Sequence, residues 1–204
     1  MASSLWTAFF LPDGRGTQSV VWVLLVIKRH PMLTIRYEQP EDHVAIHAVH
    51  TAAFCRPHEG NLVDALRRAE TLTISLVAIQ DGRIVGHIAF SPVTVTSSPT
   101  TIEALGLGPL AVLPACQRNG IGAQLVNVGL AACRATPYGV VVVLGHPYYY
   151  PRFGFTTAKH YGIVWEHSVP EGAFMVQELK AGALGQIQGV VTYRPEFDAV
   201  STSW

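Results

Sequence analysis

The sequence predicts one α/β domain built on a mixed β-sheet with few helices, and three observations predict it. An apolar run at 107–113 leads through a glycine-containing loop, Gln117-Arg118-Asn119-Gly120-Ile121-Gly122, into an amphipathic segment ending near Arg134. Two further apolar runs, 75–79 and 84–90, flank Asp81-Gly82, and an Asp-Gly pair supplies the positive φ that a tight hairpin turn needs. A third run, 140–144, is wholly apolar, as in a strand covered on both faces. A length of 204 residues suffices for one sizeable core. With 49% hydrophobic and 14% charged residues the chain is globular rather than disordered. Lys plus Arg and Asp plus Glu are 14 each, so the clustered positive charge of a nucleic-acid binder is not expected.

Residues 1–32 read as an N-terminal extension outside the core, and 33–204 as the domain proper. The extension carries eight apolar residues, Val20 to Ile27, followed by Lys28-Arg29-His30-Pro31. A membrane helix needs roughly 20, and a secretory signal carries its charge before the apolar run, so neither is expected. The segment reads as loosely ordered or as one extra strand. Residues 34–37 alternate as the first strand of the domain. Pro40-Glu41-Asp42 has the chemistry of a helix start, and Val44, Ile46, Ala48, Val49, Ala52 and Ala53 carry that helix to Phe54. Pro57 breaks it, and Leu62, Val63, Ala65 and Leu66 mark a second short helix ending near Arg67-Arg68.

After the hairpin, 96–101 reads as a Ser/Thr/Pro loop and 103–113 as the next strand, made irregular by Gly106, Gly108 and Pro109. In the following helix, Ile121, Leu125, Val128 and Ala132 form the expected buried face. Three more strands are expected around Phe155, at 174–179 and at 189–193. Cys55, Cys116 and Cys133 are an odd set without metal-ligand spacing, which reads as reduced thiols in a cytoplasmic protein with no metal.

A glycine loop between a strand and a helix N-terminus is an anion site, because the first backbone N–H groups of the helix lack intrahelical partners and the helix dipole adds partial positive charge. Two common phosphate loops fail on specific residues. A P-loop needs Lys-Ser/Thr after its last glycine, and here Ala123-Gln124 follow Gly122. A dinucleotide fingerprint needs a third glycine and an acid about 20 residues on, whereas Leu125 stands at the third position and no acid lies between Glu103 and Glu166.

A third pattern fits. Leu110-Ala111-Val112-Leu113-Pro114 followed by Gln117-Arg118-Asn119-Gly120-Ile121-Gly122 resembles the acetyl-CoA signature of the GNAT N-acetyltransferase superfamily, Q/R-x-x-G-x-G/A after a bulged strand bearing L-x-V-x-P. Tyr150-Pro151-Arg152-Phe153-Gly154-Phe155 resembles its second hallmark, Y-x-x-x-G-F. The resemblance covers about residues 33–200 and is nearest to the YhbS-type branch. It implies a mixed, mostly antiparallel central sheet flanked by helices.

It also implies acetyl-CoA as co-substrate, its pyrophosphate cradled by backbone N–H groups of Gln117, Arg118, Asn119, Gly120, Ile121 and Gly122. Leu110, Ala111 and Val112 would run beside the pantetheine arm, with an N–H near Leu110 facing the thioester oxygen. Tyr150 would protonate the departing thiolate. Pro151 right after it departs from a regular helical version of the hallmark and fits only the start of a short helix. Tyr148 and Tyr149 read as aromatic packing, Cys116 as incidental and His146 as structural. The general base is not legible: Glu103, Glu59 and His87 are candidates. The acceptor is a primary amine on a small molecule or a protein, and a homodimer is compatible with the sequence. The alternative is a non-catalytic acyl-CoA-binding or sensing module.

Overall fold

The computed structural model describes residues 32–198 and the backbone of 3–12 and 18–27. The chain divides into two compact units, Met1–Met32 and Leu33–Trp204. In the first, β1 (Ser3–Pro12) and β2 (Gln18–Ile27) pair antiparallel, from Ser3 opposite Ile27 to Pro12 opposite Gln18. A two-stranded ribbon thus replaces the loose segment or single strand expected there.

The second unit begins with β3 (Leu33–Tyr37) and a 3-10 turn at Pro40–Asp42. There the Asp42 carboxylate accepts the Gln39 N–H at 2.8 Å and binds Arg36, so proline and acid together start α1 (His43–Phe54). Cys55 in the left-handed region ends α1, and α2 (His58–Arg68) follows Pro57 directly. β4 (Ile74–Gln80) and β5 (Arg83–Ser97) meet through Asp81 and Gly82, at φ 50° and 76°, the paired positive values the dipeptide predicts. β6 (Thr100–Val112), α3 (Ile121–Arg134) and β7 (Val140–Leu144) come next. The chain then adds β8 (Thr156–Thr157), β9 (Ile163–Trp165), β10 (Phe174–Glu178) and β11 (Gly189–Thr192).

These strands form one sheet in the order β3-β4-β5-β6-β7-β10-β8, with β11 pairing β5 and β9. Only β6/β7 and β9/β11 are parallel, so the sheet is mixed and mostly antiparallel. Ile88 and Phe90 of β5 pack with α3, whereas His87 hydrogen-bonds His50 of α1. Alternate residues of a strand face opposite ways, so α3 covers one face and α1 the other.

Two expectations are corrected. The loop at 96–101 shrinks to Ser98 and Pro99, because β11 supplies a second partner to Thr94, Val95 and Thr96 and the buried Val93 and Val95 keep the strand alternating. The buried face of α3 is Ile121, Leu125, Val126, Gly129, Leu130 and Cys133, while Val128 is 41% exposed. Gly129 sets this rotation: a Cβ there would lie 2.5 Å from Phe90 Cε2, so the ring packs on bare backbone and centres the stripe on 129.

One topological detail positions the site. Among the described residues β6 pairs with β7 only at Leu105, Gly106 and Leu107, then runs on to Val112 with no strand on that side. Leu113 N–H donates to Val85 O, which fixes the ladder phase against β5. By antiparallel alternation the N–H and C=O of Ala111 belong to the β5 ladder, and those of Leu110 and Val112 point into the gap.

Candidate active site

A cavity of about 1010 Å³ opens at this gap. Its floor is Leu107 to Val112 of β6, and one end is the loop with Cys116, Gln117, Arg118, Gly120, Ile121 and Gly122. The loop is braced by its own side chains. Gln117 Nε2 donates to Val112 O at 3.0 Å, and Asn119 Nδ2 donates to Cys116 O at 3.3 Å. Those two side chains hold the turn. The first helical bond of α3 is Gln124 N–H to Gly120 O, so the N–H groups of Ile121, Gly122 and Ala123 have no intrahelical acceptor. Gly120 caps the helix at φ 80°, a left-handed value that glycine adopts without cost. Arg118, also left-handed at φ 61°, is exposed, lines the cavity and makes no ion pair among the described residues.

The tyrosine segment forms the facing wall. A 3-10 turn at Tyr150–Phe153 places Pro151 in its first turn, as the sequence required. Tyr150 is buried, edge-on to Tyr149 and Phe155, and lines the cavity. Burial, reinforced by Tyr149, pushes its phenol above the ordinary range, so it stays protonated at neutral pH and can donate. Tyr149 does more than pack. A Cβ on Gly122 would lie 2.9 Å from the Tyr149 hydroxyl, so this phenol sits at the α3 N-terminus, and the Arg152 guanidinium stacks on its ring at 3.9 Å. The reading of Tyr149 as aromatic packing is met by its contacts with Tyr150 and Phe153, and Arg152 had been given no role. Tyr148, read as packing, is 97% exposed and packs on nothing.

The candidate bases separate. Glu103 is exposed and opposite Thr94, on the stretch of β6 that does not line the cavity. His87 is fully buried in a hydrogen-bond chain between the sheet and α1 and does not line the cavity. Glu59 does: it is buried in the first turn of α2, bonded by Arg56 at 2.6 Å, and forms part of the wall. His146 and Cys116 also line the cavity. No cluster able to hold a metal ion occurs among the described residues.

The comparisons agree with this geometry. The model of the acetyltransferase (GNAT) domain matches residues 34–158. N-acetyltransferase YhbS of Escherichia coli K12 is 37% identical over 167 residues, 81% of this chain and 99% of the relative. N-acetyltransferase YjhQ of the same strain is 34% identical over 154 residues, 72% of this chain and 85% of the relative. The crystal structure of E. coli YhbS in complex with CoA superposes with a TM-score of 0.78 at 36% identity, covering 84% of this chain and 94% of that one. A GNAT family acetyltransferase from Brucella melitensis in complex with acetyl-CoA gives 0.68 at 39%, covering 83% and 100%. The family match spans the unpaired edge of β6, the glycine loop and the tyrosine turn together, and the chain belongs to the GNAT acetyltransferase family.

Proposed function

We propose that the protein transfers the acetyl group of acetyl-CoA directly to a primary amine. The observation that carries this is the braced glycine loop at the α3 N-terminus, opening into a cavity along the unpaired edge of β6. Acetyl-CoA supplies the activated acetyl group as co-substrate. Backbone N–H groups of the 117–122 loop hold its pyrophosphate, aided by Arg118 and Arg152. The outward amides of Leu110 and Val112 extend β6 toward the pantetheine arm, although Gln117 already occupies the Val112 carbonyl. The Leu110 N–H faces the oxygen on which negative charge develops. Ala111 contributes wall rather than hydrogen bonds.

The amine nitrogen forms the new C–N bond, and the C–S bond breaks with its electron pair leaving on sulfur. Tyr150 donates a proton to that sulfur, and the Glu59 carboxylate, which keeps acceptor capacity beyond its Arg56 bonds, takes the proton lost by nitrogen. Holding both reactants in one cavity supplies much of the remaining acceleration. Cys55, Cys116 and Cys133 are all free thiols, which supports a reducing, cytoplasmic setting. No helix of the described residues is long and apolar enough to cross a membrane.

The test is calorimetric CoA binding beside thiol release from acetyl-CoA with a panel of amines. Binding with turnover of at least one amine is expected; tight binding with none points to the acyl-CoA-binding module instead. Tyr150→Phe is expected to lower kcat about 10²-fold with CoA affinity unchanged. Parent-like turnover at every pH would remove Tyr150 as the acid.

A further inference from the structure

Tyr150 has to present its hydroxyl to one sulfur, yet that hydroxyl makes no hydrogen bond among the described residues. Its aim comes from how the ring is packed and how the backbone beneath it is held. The ring lies edge-on to Tyr149 and Phe155, with centroids 5.1 and 5.6 Å away. A further contact is with bare backbone. A Cβ built on Gly145 would overlap Tyr150 Cε2 and lie 2.9 Å from Cδ2, so the ring rests on the main chain just past β7, where only glycine leaves room. Gly145 N–H donates to Ala173 O at 2.9 Å, which continues the β7/β10 ladder and fixes that seat to the sheet.

The backbone under the ring is a single 3-10 turn, Tyr150–Phe153, too short to be stable by itself, and Pro151 removes one of its donors. A side chain ties it to the sheet: Gln177 Nε2 donates to Phe153 O at 2.9 Å. Gln177 stands on β10 opposite Val141, and β10 is paired with both β7 and β8, so the tie runs from a fixed strand. The turn closes against the same amide. Gly154 sits at φ 92°, and a Cβ there would lie 2.9 Å from Gln177 Nε2. Gln177 does not line the cavity, so it is placed to touch neither CoA nor the amine. Its Oε1 is buried without a hydrogen-bond partner among the described residues. Turning the amide over would set its carbonyl against that of Phe153, so the orphan is locked in. A buried acceptor left unmade offsets most of what the Nε2 bond gains. The tie therefore adds little to stability and much to position.

Resting on the acetyltransferase reading, we propose that Gln177 is a positioning residue for the transfer: its amide pins the tyrosine turn to β10 while Gly145 seats the ring, and together they hold the Tyr150 hydroxyl in line with the departing sulfur. The proton moves from the Tyr150 oxygen to sulfur as the C–S bond breaks; Gln177 gives and takes none. A loosened turn lets the ring drift, and a displacement of about 1 Å can cost a hundredfold in rate. The loss falls on the chemical step, because the α3 N-terminus and the edge of β6, which are placed to hold CoA, belong to other elements.

Thiol release from acetyl-CoA is measured with phenethylamine, spermidine, glucosamine and a lysine tripeptide, beside CoA calorimetry, for the parent, Gln177→Leu, Tyr150→Phe and the double variant. Gln177→Leu is expected to lower kcat about tenfold, with KM for acetyl-CoA and CoA affinity within about twofold of the parent. Its melting temperature should stay close to the parent's, because one orphan acceptor, Phe153 O, replaces another, Gln177 Oε1. In the Tyr150→Phe background the same change should cost no more than about twofold, since no hydroxyl is left to aim. Gly145→Ala, which unseats the ring, should lower kcat as far as Tyr150→Phe does, about 10²-fold. Parent-like kcat in Gln177→Leu, or losses that multiply in the double variant, overturns the proposal. So does a fall in kcat that comes with weakened CoA binding and a lower melting temperature, which marks a merely structural tie. Parent-like turnover by Tyr150→Phe overturns it as well. If CoA binds and the parent acetylates none of the four amines, the acetyltransferase reading fails and the proposal with it, a result distinct from an active parent whose Gln177→Leu variant is unimpaired.

Discussion

Gly120→Asp is expected to weaken CoA binding by more than a hundredfold while leaving the fold intact. Nothing lies within 4 Å of a Cβ built at Gly120, so the side chain meets no clash. Its φ of 80° is strained for most residues, but Asp and Asn enter this region more readily than others. A carboxylate at a helix N-terminus is itself favourable, so thermal stability should be close to the parent's. The same carboxylate occupies the place of the pyrophosphate. Two like charges 4 Å apart at a protein surface repel by roughly 4 kcal/mol, and about 2.8 kcal/mol already costs a hundredfold in affinity. Gly120→Asn has the same shape without the charge and should lose no more than about fivefold. Calorimetry with CoA at low and high salt checks both, the Asp deficit shrinking as salt rises. Parent-like CoA binding by Gly120→Asp would remove the loop as the phosphate site.

The parts of this molecule that were legible in its sequence are those with local chemistry. The ends of α1 at Phe54, of α2 at Arg68 and of α3 at Ile121 and Arg134 coincide with prolines, a glycine loop and a falling apolar period. Asp81-Gly82 fixed its own turn. The glycine loop was readable because an anion site at a helix end is made of consecutive residues. What was not legible depends on pairing across the chain. The seam of α3 turned because Phe90, a residue of another strand, packs on Gly129. The loop at 96–101 became strand because β11 returns to pair with it. β9, three residues long, had no strand signal of its own and is held by β11. Glu59, Glu103 and His87 looked equivalent as bases until the fold put one in the cavity wall, one on an exposed stretch of strand away from it and one under α1. The cavity wall gathers Phe54, Trp165, Tyr193 and Phe197 from both ends of the domain, and no spacing rule connects them.

His87, set aside as a base, belongs to a buried chain whose titration is expected to control stability in mild acid. Glu38 accepts Arg67 Nε at 2.8 Å and Nη2 at 3.0 Å, and the Ser75 hydroxyl at 2.5 Å. A carboxylate only accepts, so Ser75 spends its proton on Glu38 and its oxygen accepts the His87 Nε2–H at 2.7 Å. His87 Nδ1 then accepts the His50 Nε2–H at 2.9 Å. Both imidazoles are thereby neutral. Burial holds His50 well below its ordinary value of 6.5, and protonation of the neighbouring His87 or His47, with the Arg67 cation, would lower it further. Burial also lowers His87, against the opposing pull of Glu38. Burial alone would raise the Glu38 carboxyl, but the His87 ring 3.6 Å away and the hydrogen bonds from Arg67 and Ser75 outweigh it and hold it far below the usual carboxylate range.

All three groups bind protons more weakly folded than unfolded, so each contributes stability above its unfolded value and loses it as pH falls. The histidines act first, below 6.5, and Glu38 follows below about 4.5. Between pH 6.5 and 5 the loss should appear as a falling melting temperature. At neutral pH, Glu38→Ala leaves Arg67 and the chain without their anchor and should cost about 3–5 kcal/mol. Replacing His50 and His87 together by leucine should flatten the slope between pH 7 and 5. Scanning calorimetry across this range checks it, and a parent slope that is flat there would show that the imidazoles do not titrate with unfolding. The effect reaches the cavity through Phe54, whose ring stacks on His50 at 6.2 Å and lines the cavity wall. Acid should therefore raise KM for the amine before it weakens CoA binding, because the phosphate loop is built on α3, across the sheet from the titrating pair.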